Sequence, residues 1–245
     1  MPVALVTGGG RGVGRAVAEG LLADGWTVGI TGRDRATLAR VTGAIAHPGD
    51  TTDAEHVREV VQALGVPDLA VLNAGAFTTG GPLWETEPDA WWRDLEVNLR
   101  GPMLFLQALL PGMLARGHGR IVVVGSGFGQ EPIAAASAYS VSKTAVERLV
   151  EGVALEVEGT GVVLLTASPG LVQSDMSDAF PAGFLLAHPE FADAPRRDLA
   201  LFVDLMRRAA RGELDGFHGR FVHVTTTAAR PVREQGTLRL VPYSD

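Results

Sequence analysis

Short apolar runs alternate with stretches of helical periodicity along this chain, and that alternation limits the folds open to it. The apolar runs have the length of buried strands and lie at 3–7, 27–31, 44–47, 68–73, 120–125, 162–166 and 220–224. Helical spacing of apolar residues occurs over 15–23, 35–41, 53–64, 91–114, 138–158 and 198–211, with a disturbance expected at Gly101-Pro102. Alternation of this kind builds βαβ units with right-handed crossovers. We predict an α/β fold with a doubly wound, mostly parallel sheet, in a single domain over residues 1–245.

Ligands of such sheets bind beyond the carboxyl ends of the strands. A glycine cluster follows Thr7, Asn73 ends a later strand, and Ser126 follows another. The Pro169-Gly170 turn comes directly after the strand predicted at 162–166. We therefore expect these residues to share one edge of the sheet.

The overall composition excludes several classes of function. The charge is −7 from 21 basic and 28 acidic residues, without a block of Lys or Arg, so a nucleic-acid partner is not expected. There is no cysteine, and the six histidines form no His-x-x-x-His pair, so no metal site is predicted. No apolar run approaches the roughly 18 residues that cross a bilayer, and the early strand leaves no room for a signal peptide. We expect a soluble cytoplasmic protein without membrane contact.

Gly8, Gly12 and Gly14 lie between the first predicted strand and the first helix. Glycines in this context allow a tight turn and let a pyrophosphate approach the helix N-terminus. The second predicted strand ends at Arg33 without an acidic residue, and Arg11 lies within the glycine loop. Two guanidinium groups suit the 2′-phosphate of NADP, which favours NADP(H) over NAD(H). The alternative interpretation is that Arg11 and Arg33 are solvated surface charges, with Asp34 neutralising Arg33.

Tyr139 and Lys143 form the second chemical signal. Lys143 is the only lysine in the chain and lies four residues after Tyr139, on the same face of a predicted helix. A nearby ammonium lowers the pKa of a phenol, and with help from the positive charge of a bound nicotinamide we expect the pKa to fall by about 2–3 from the usual ~10. Ser126, at the end of an apolar strand, is placed to hydrogen-bond a substrate oxygen.

These motifs, in this order and spacing, resemble the short-chain dehydrogenases/reductases of about 250 residues, and the resemblance covers nearly the whole chain. The matching motifs are Thr7-Gly8-x-x-x-Gly12-x-Gly14, Asn73-Ala74-Gly75, Asn98, Ser126, Tyr139-x-x-x-Lys143 and Pro169-Gly170. The resemblance implies a Rossmann-like fold and a catalytic tetrad of Asn98, Ser126, Tyr139 and Lys143. It also implies that Lys143 touches the nicotinamide ribose and that Asn98 holds a water linked to Lys143.

The resemblance also implies cofactor contacts and an assembly. In the family's arrangement Asp50 contacts the adenine, Asn73 supports the cofactor, and the stretch from Pro169 borders the nicotinamide. The full predicted set of cofactor-binding residues is Gly8, Arg11, Gly12, Val13, Gly14, Arg33, Asp50, Asn73, Gly75, Tyr139, Lys143, Pro169 and Gly170. Members of this family are commonly homotetramers or homodimers that pair through the helices carrying Asn98 and Tyr139.

Residues 171–197 hold several prolines without a clear period, and we expect them to form a lid over the substrate. Their apolar residues favour a hydrophobic or ring-bearing substrate, or else only pack the lid; they are Phe180, Phe184, Leu185, Leu186 and Phe191. The motifs together predict an NADP-dependent oxidoreductase that interconverts a carbonyl and a secondary alcohol by hydride transfer. Two alternatives remain: a non-catalytic NADP-binding regulator, and an epimerase or dehydratase that retains its cofactor.

Overall fold

A computed structural model describes residues 1–225 of the chain. Its seven strands form one parallel sheet in the order β3-β2-β1-β4-β5-β6-β7. The strands are β1 (Val3–Thr7), β2 (Thr27–Gly32), β3 (Ile45–Pro48), β4 (Leu69–Leu72), β5 (Gly119–Val124), β6 (Val162–Ser168) and β7 (Phe221–His223). The predicted doubly wound sheet is confirmed, and each predicted strand is found within a few residues of its expected position.

The helices lie between the strands, as the alternation predicted. They are α1 (Gly12–Ala23), α2 (Arg35–Leu38), α3 (Ala54–Leu64), α4 (Pro88–Leu95), α5 (Gly101–Arg116), α6 (Ser137–Glu156), α7 (Asp175–Asp178), α8 (Ala182–Ala187) and α9 (Leu199–Ala210). In the described part of the chain, none combines the length and apolar character that a membrane span requires. The predicted extension of the domain to residue 245 lies partly outside the described residues.

Helices cover both faces of the sheet because successive strand residues point to opposite sides. One apolar core joins Val6 of β1 to Val17 of α1 and Phe202 of α9. The opposite core joins Leu5 of β1 to Phe105 of α5 and to residues of α3 and α6. A sheet that is buried on both faces leaves only its edges and ends for binding, so a site at the carboxyl edge is favoured.

The helix predicted over 91–114 is two helices joined by a π-helical segment, Glu96–Arg100. The amide of Gly101 donates to the carbonyl of Glu96, five residues back. Pro102 has no N–H to donate to the carbonyl of Asn98, so the regular α-helical pattern cannot continue there. The disturbance therefore falls just before Gly101-Pro102, and Asn98 lies within it.

The segment 171–197 is more ordered than its irregular sequence suggested. It contains α7, α8 and a short 3₁₀ turn at Pro189–Phe191. Val172 and Arg197 form a parallel β-bridge, and the Arg197 amide donates to the Leu171 carbonyl at 2.7 Å. The two ends of the segment are therefore pinned together beside the carboxyl edge of the sheet.

Candidate active site

A cavity of about 1380 Å³ opens along the carboxyl edge of the sheet. Its walls are the glycine loop after β1, the residues that follow β4, β5 and β6, and the segment 171–197. Pockets for small ligands are usually about 300–1,000 Å³. The cavity therefore has room for a dinucleotide together with a second molecule.

The glycine loop has the backbone that its sequence predicted. Gly8 and Gly12 have φ of +64° and +51°, a region that other residues rarely adopt. Gly8, Gly12 and Val13 border the cavity, and α1 begins at Gly12 with its amide end toward it. Gly14 instead packs behind the loop, where a Cβ would lie 2.3 Å from the Gly8 oxygen. The loop thus offers backbone donors and a helix N-terminus to an anion.

Arg11 and Arg33 both border the cavity at its glycine-loop end. Arg11 Nη1 lies 3.1 Å from Asp175 Oδ2 in an ion pair whose side chains are 65% and 63% exposed. The Asp34 carboxylate caps α2 by accepting from the Ala36 amide at 2.8 Å. Within residues 1–225 Arg33 forms no ion pair, so its charge faces the cavity without a carboxylate partner there.

Asp50, Asn73 and Gly75 also border the cavity. Asp50 Oδ1 accepts from both the amide and the hydroxyl of Thr52, at 2.9 Å each. Asn73 Nδ2 donates to the Thr7 carbonyl at 3.0 Å and so ties the end of β4 to the end of β1. These side chains fix the loops around the cavity, and Asp50 keeps its second carboxylate oxygen for a ligand.

Asn98 lies behind the cavity wall and is 1% exposed. Its Nδ2 donates to the Ala76 carbonyl at 2.7 Å and to Ser142 Oγ at 2.9 Å. Its Oδ1 accepts from the Ala76 amide at 2.8 Å. The side chain therefore clamps the segment after β4 to α6.

Ser126 and Tyr139 both border the cavity, and their hydroxyl groups lie near enough for Ser126 to favour ionisation of the phenol. Ser126 Oγ also accepts from the Phe128 amide at 3.2 Å. The Tyr139 ring is 9% exposed and stacks on Phe77, with ring centroids 4.7 Å apart and planes inclined by 23°. Burial raises the pKa of Tyr139 to about 12, opposed by the nearby Ser126 hydroxyl and assisted by the nearby charge of Asp94. The expected lowering of this pKa is wrong for this structure, because burial of the phenol outweighs the lowering effect of Ser126.

Lys143 is 4% exposed and reaches the same site from the next turn of α6. Its Nζ donates to the Val124 carbonyl at 2.8 Å and lies 5.5 Å from the centre of the Tyr139 ring. Burial lowers the pKa of Lys143 to about 8, against the opposing charge of Glu147. The amine is therefore still mainly protonated at pH 7, beside the phenol but directed at the backbone of β5.

The Pro169-Gly170 turn forms the wall beyond β6. Gly170 has a φ of +69°, and its amide donates to Ser168 Oγ at 3.2 Å. The predicted residues of the glycine loop, of the β5 end and of this turn are thus brought to one cavity, as their positions after parallel strands required.

Sequence reasoning missed Asp94, which is fully buried behind the site. Its carboxylate accepts from the amides and hydroxyls of both Thr78 and Thr79, at distances between 2.7 and 3.2 Å. It thereby holds the loop that carries Phe77 against Tyr139. A usable signal existed, since Asp94 lies four residues before Asn98 and so on the same helix face.

The five apolar residues expected to make the lid apolar have different surroundings in the structure. Phe180 and Phe191 border the cavity. Phe184 is fully buried and packs on Phe77 at 5.1 Å between ring centroids, whereas Leu186 is 87% exposed. Leu185 is partly buried against the same cluster. Packing therefore accounts for part of this set, and two aromatic rings remain available to a ligand.

Comparison with known proteins identifies relatives along most of the chain. A family model described as short chain dehydrogenase matches residues 2–183. An uncharacterized oxidoreductase of Staphylococcus saprophyticus is 34% identical over 188 residues, covering 71% of this chain and 80% of that protein. A short chain dehydrogenase of Pseudocercospora fijiensis is 33% identical over 186 residues, covering 71% of this chain and only 60% of that protein.

Solved structures share the fold over a longer span. A short-chain dehydrogenase from Streptomyces avermitilis has a TM-score of 0.75 and 32% identity, with 84% of this chain and 83% of that chain covered. A Beutenbergia cavernae protein with bound NADP at low occupancy has a TM-score of 0.80 and 28% identity, with 91% and 94% covered. A 3-oxoacyl-[acyl-carrier protein] reductase from Brucella melitensis has a TM-score of 0.80 and 27% identity, with 91% and 89% covered.

The fold, the glycine loop and the Ser126, Tyr139 and Lys143 arrangement agree with the match to the family model over residues 2–183. Oxidoreductases of this kind bind a nicotinamide cofactor and act on small molecules. This chain belongs to the short-chain dehydrogenase family and is an oxidoreductase of that family.

Proposed function

We propose that this oxidoreductase interconverts a carbonyl and a secondary alcohol, with NADP(H) as its cofactor. The observation that carries the proposal is the meeting of Ser126, Tyr139 and Lys143 at one end of the cavity that the glycine loop also borders. A bound nicotinamide would supply or accept the hydride at that end. The residues of the chain then have to bind the substrate oxygen and move one proton.

Tyr139 is the proposed proton donor in the direction of reduction. Its raised pKa of about 12 keeps the phenol protonated at neutral pH, which is the form that an acid requires. Ser126 lies near the phenol and borders the cavity, so its hydroxyl can hold the substrate oxygen beside Tyr139. The phenol proton passes to the oxygen as negative charge develops there, and Tyr139 becomes a phenolate.

Lys143 is proposed to stabilise that phenolate. Its ammonium lies 5.5 Å from the centre of the ring, in a buried setting where opposite charges attract more strongly than in water. The hydrogen bond to the Val124 carbonyl and the charge of Glu147 keep the amine protonated despite its burial. Lys143 thus acts at the moment when Tyr139 loses its proton, and not before.

The preference for NADP(H) follows from the two arginines at the other end of the cavity. Arg33 has no ion-pair partner in residues 1–225, and Asp34 is already committed as the cap of α2. The exposed ion pair of Arg11 with Asp175 contributes little, so Arg11 can exchange that carboxylate for a phosphate at small cost. The NADP bound to the Beutenbergia cavernae relative is consistent with this preference.

Turnover of NADPH tests the chemistry. A panel of ketones is incubated with NADPH and either wild type or Tyr139→Phe, and absorbance of the reduced nicotinamide is followed. The variant keeps the ring that stacks on Phe77 and loses only the hydroxyl, so we expect kcat/KM to fall by about 10²–10⁴-fold. Tyr243→Phe makes the same change at the chain's other tyrosine and is the matched control. Equal turnover by wild type and Tyr139→Phe would remove Tyr139 from the chemistry.

Cofactor titrations test the arginines. NADPH and NADH are titrated into wild type, Arg33→Asp and Arg40→Asp, with binding followed by nicotinamide fluorescence. Arg40 is exposed and does not border the cavity, so Arg40→Asp introduces the same charge change away from the site. We expect Arg33→Asp to weaken NADPH selectively by roughly ten- to hundredfold. Tighter binding of NADH than NADPH to wild type would overturn the phosphate argument.

We also infer a homodimer or homotetramer that pairs through α4, α5 and α6. Apolar side chains are exposed on these helices, with Leu114 of α5 at 40%, and Val141 and Leu155 of α6 at 46% and 75%. Light scattering coupled to gel filtration measures the mass. A monomer at micromolar concentration would contradict this inference, and Leu155→Glu should reduce the assembly while Leu201→Glu on α9 should not.

A further inference from the structure

A second group of polar side chains borders the cavity beyond the Pro169-Gly170 turn. We propose that Arg197 and His223 form a subsite for an anionic group of the substrate, a carboxylate in the simplest case. This inference rests on the proposed carbonyl chemistry. The substrate class is then an oxo acid whose apolar part lies against Phe180 and Phe191. The alcohol that it yields is the corresponding hydroxy acid.

Arg197 and His223 converge on one point at the cavity wall. A Cβ built on Gly170 would lie 2.9 Å from Arg197 Nε and 3.2 Å from His223 Nε2. That position lies one covalent bond from Gly170 Cα and holds no ligand atom, but the distances show that the two nitrogens lie close to each other beside the turn, with Arg197 Cδ also 2.9 Å from the position. All three residues border the cavity. One acceptor of two hydrogen bonds, such as a carboxylate, suits this pair of nitrogens.

Both groups are available as donors. Arg197 is held by its backbone bridge to Val172, while its guanidinium forms no ion pair or side-chain hydrogen bond within residues 1–225. His223 Nδ1 is occupied by Thr225, accepting from its amide at 3.3 Å and lying 2.7 Å from its hydroxyl, which leaves Nε2, the nitrogen that faces Gly170, for a ligand. Burial and the charge of Arg197 lower the pKa of His223, which keeps the ring neutral at pH 7. The pair therefore offers one cation and one neutral N–H.

The neighbouring charges favour an anion at this end. Arg196 also borders the cavity, and its Nη2 donates to the Phe191 carbonyl at 3.2 Å. Of the acidic residues that border the cavity, Asp175 is the one in the segment 171–197, and Arg11 already pairs with it. Asp198, which follows Arg197, does not border the cavity and caps α9 by accepting from the Ala200 amide at 2.8 Å. The chain as a whole carries a charge of −7, so a cationic wall here is a local feature and not a consequence of composition.

The register of the sheet fixes the distance between this subsite and the reacting end. His223 pairs with Ser168 of β6, and Ala167 of β6 pairs with Val124 of β5. Ser126 follows β5, so His223 and Ser126 are two strands apart at the same edge. Two strand spacings amount to roughly 10 Å. A substrate that reaches both points carries its anionic group several bonds away from the carbonyl.

A series of phenyl ketones tests the subsite. Each ketone carries a terminal carboxylate separated from the carbonyl by two, three or four methylene groups, and each is compared with its own methyl ester. The protein is assayed with NADPH as wild type, Arg197→Gln, Arg197→Lys and Arg208→Gln. Arg208 of α9 pairs with Glu213 away from the cavity and controls for the loss of one arginine. The ratio of kcat/KM for acid over ester is the readout.

We expect wild type and Arg208→Gln to prefer the acid by roughly ten- to hundredfold at the best spacing. Arg197→Gln should abolish that preference with NADPH affinity unchanged, and Arg197→Lys should restore part of it. Equal use of acid and ester by wild type would overturn the subsite while leaving the oxidoreductase proposal intact. A loss of NADPH affinity in Arg197→Gln, with acid and ester slowed alike, would instead assign Arg197 to the cofactor.

Binding separates a failure of the subsite from a failure of the proposed function. Calorimetric titration of the same acids and esters into the protein–NADP complex does not require turnover. Tighter binding of an acid, lost in Arg197→Gln, supports the subsite even when no ketone is reduced. Acid and ester binding alike to wild type, or an acid preference that survives in Arg197→Gln, would overturn it.

Discussion

The titration of Lys143 tests whether burial controls the ionisation of the site. Burial lowers the pKa of Lys143 from 10.5 to about 8. Between these values the unfolded chain keeps a proton that the folded protein has released, so the stability of the fold rises with pH across that window. The free-energy penalty for burying the charged ammonium is fully present below the folded pKa of about 8, and it disappears above the unfolded pKa of 10.5. A shift of this size corresponds to about 3 kcal/mol.

Urea unfolding of wild type and Lys143→Met at pH 7.5 and pH 10 measures this contribution. Methionine has a similar length and no charge, and every other titrating group is common to both proteins. We expect the free energy of unfolding of wild type to increase by about 2 kcal/mol relative to the variant between these pH values. Tyr139 adds little in this range, because its folded pKa is raised to about 12 and its unfolded value is 10.0.

A direct measurement comes from the single lysine of the chain. Protein labelled with ¹³C at lysine Cε gives one resonance, whose shift with pH reports the pKa of Lys143 without assignment. We expect a midpoint near 8. A midpoint close to the ordinary value of 10.5, or a parallel change in the stability of wild type and variant, would refute the conclusion that burial dominates this site.

Two further predictions concern groups behind the cavity. Asp94→Ala should cost about 3 kcal/mol in the free energy of unfolding, because buried donors lose their shared acceptor; a cost as small as that of exposed Asp89→Ala would contradict the clamp described here. Gly14→Ala should prevent NADPH binding or folding, since the new Cβ would lie 2.3 Å from the Gly8 oxygen. Gly152→Ala, with nothing within 4 Å of the new Cβ, should stabilise α6 by about 0.5–1 kcal/mol, and equal thermal stability of both glycine variants would count against the reasoning.

Most of the fold could be predicted from the sequence, because the spacing of apolar residues follows the local geometry of helices and strands. The strand at 3–7 was predicted and found with identical bounds, and α6 and α9 begin and end within two residues of their predicted limits. The predicted helix over 91–114 differed from the structure for an identifiable reason. The interruption before Gly101 follows from the missing N–H of Pro102. A proline in the sequence predicts that a helix will be disturbed, but it does not predict at which residue the disturbance begins.

The positions of the site residues were predictable for a different reason. Gly8, Asn73, Ser126 and Gly170 follow parallel strands, and topology alone brings them to one edge. The ionisation of Tyr139 was not predictable in this way. Its pKa depends on how completely the ring is buried, and the burial comes from Phe77 and from residues of the segment 171–197, far apart in sequence. Spacing within a helix predicts which side chains are neighbours, but it does not predict how completely other elements bury those side chains from solvent.

The protonation states of Tyr139 and Lys143 agree with the roles proposed for them in carbonyl reduction. At neutral pH the phenol of Tyr139 and the amine of Lys143 both carry their protons, because the one pKa is raised to about 12 and the other stays at about 8. Ser126 adds a hydroxyl on the same wall. The site thus presents donors and a positive charge, which stabilise an oxygen that gains negative charge. In the carbonyl reduction proposed above, these groups would stabilise such an oxygen, and the ammonium of Lys143 would offset part of the cost of the buried phenolate that Tyr139 becomes.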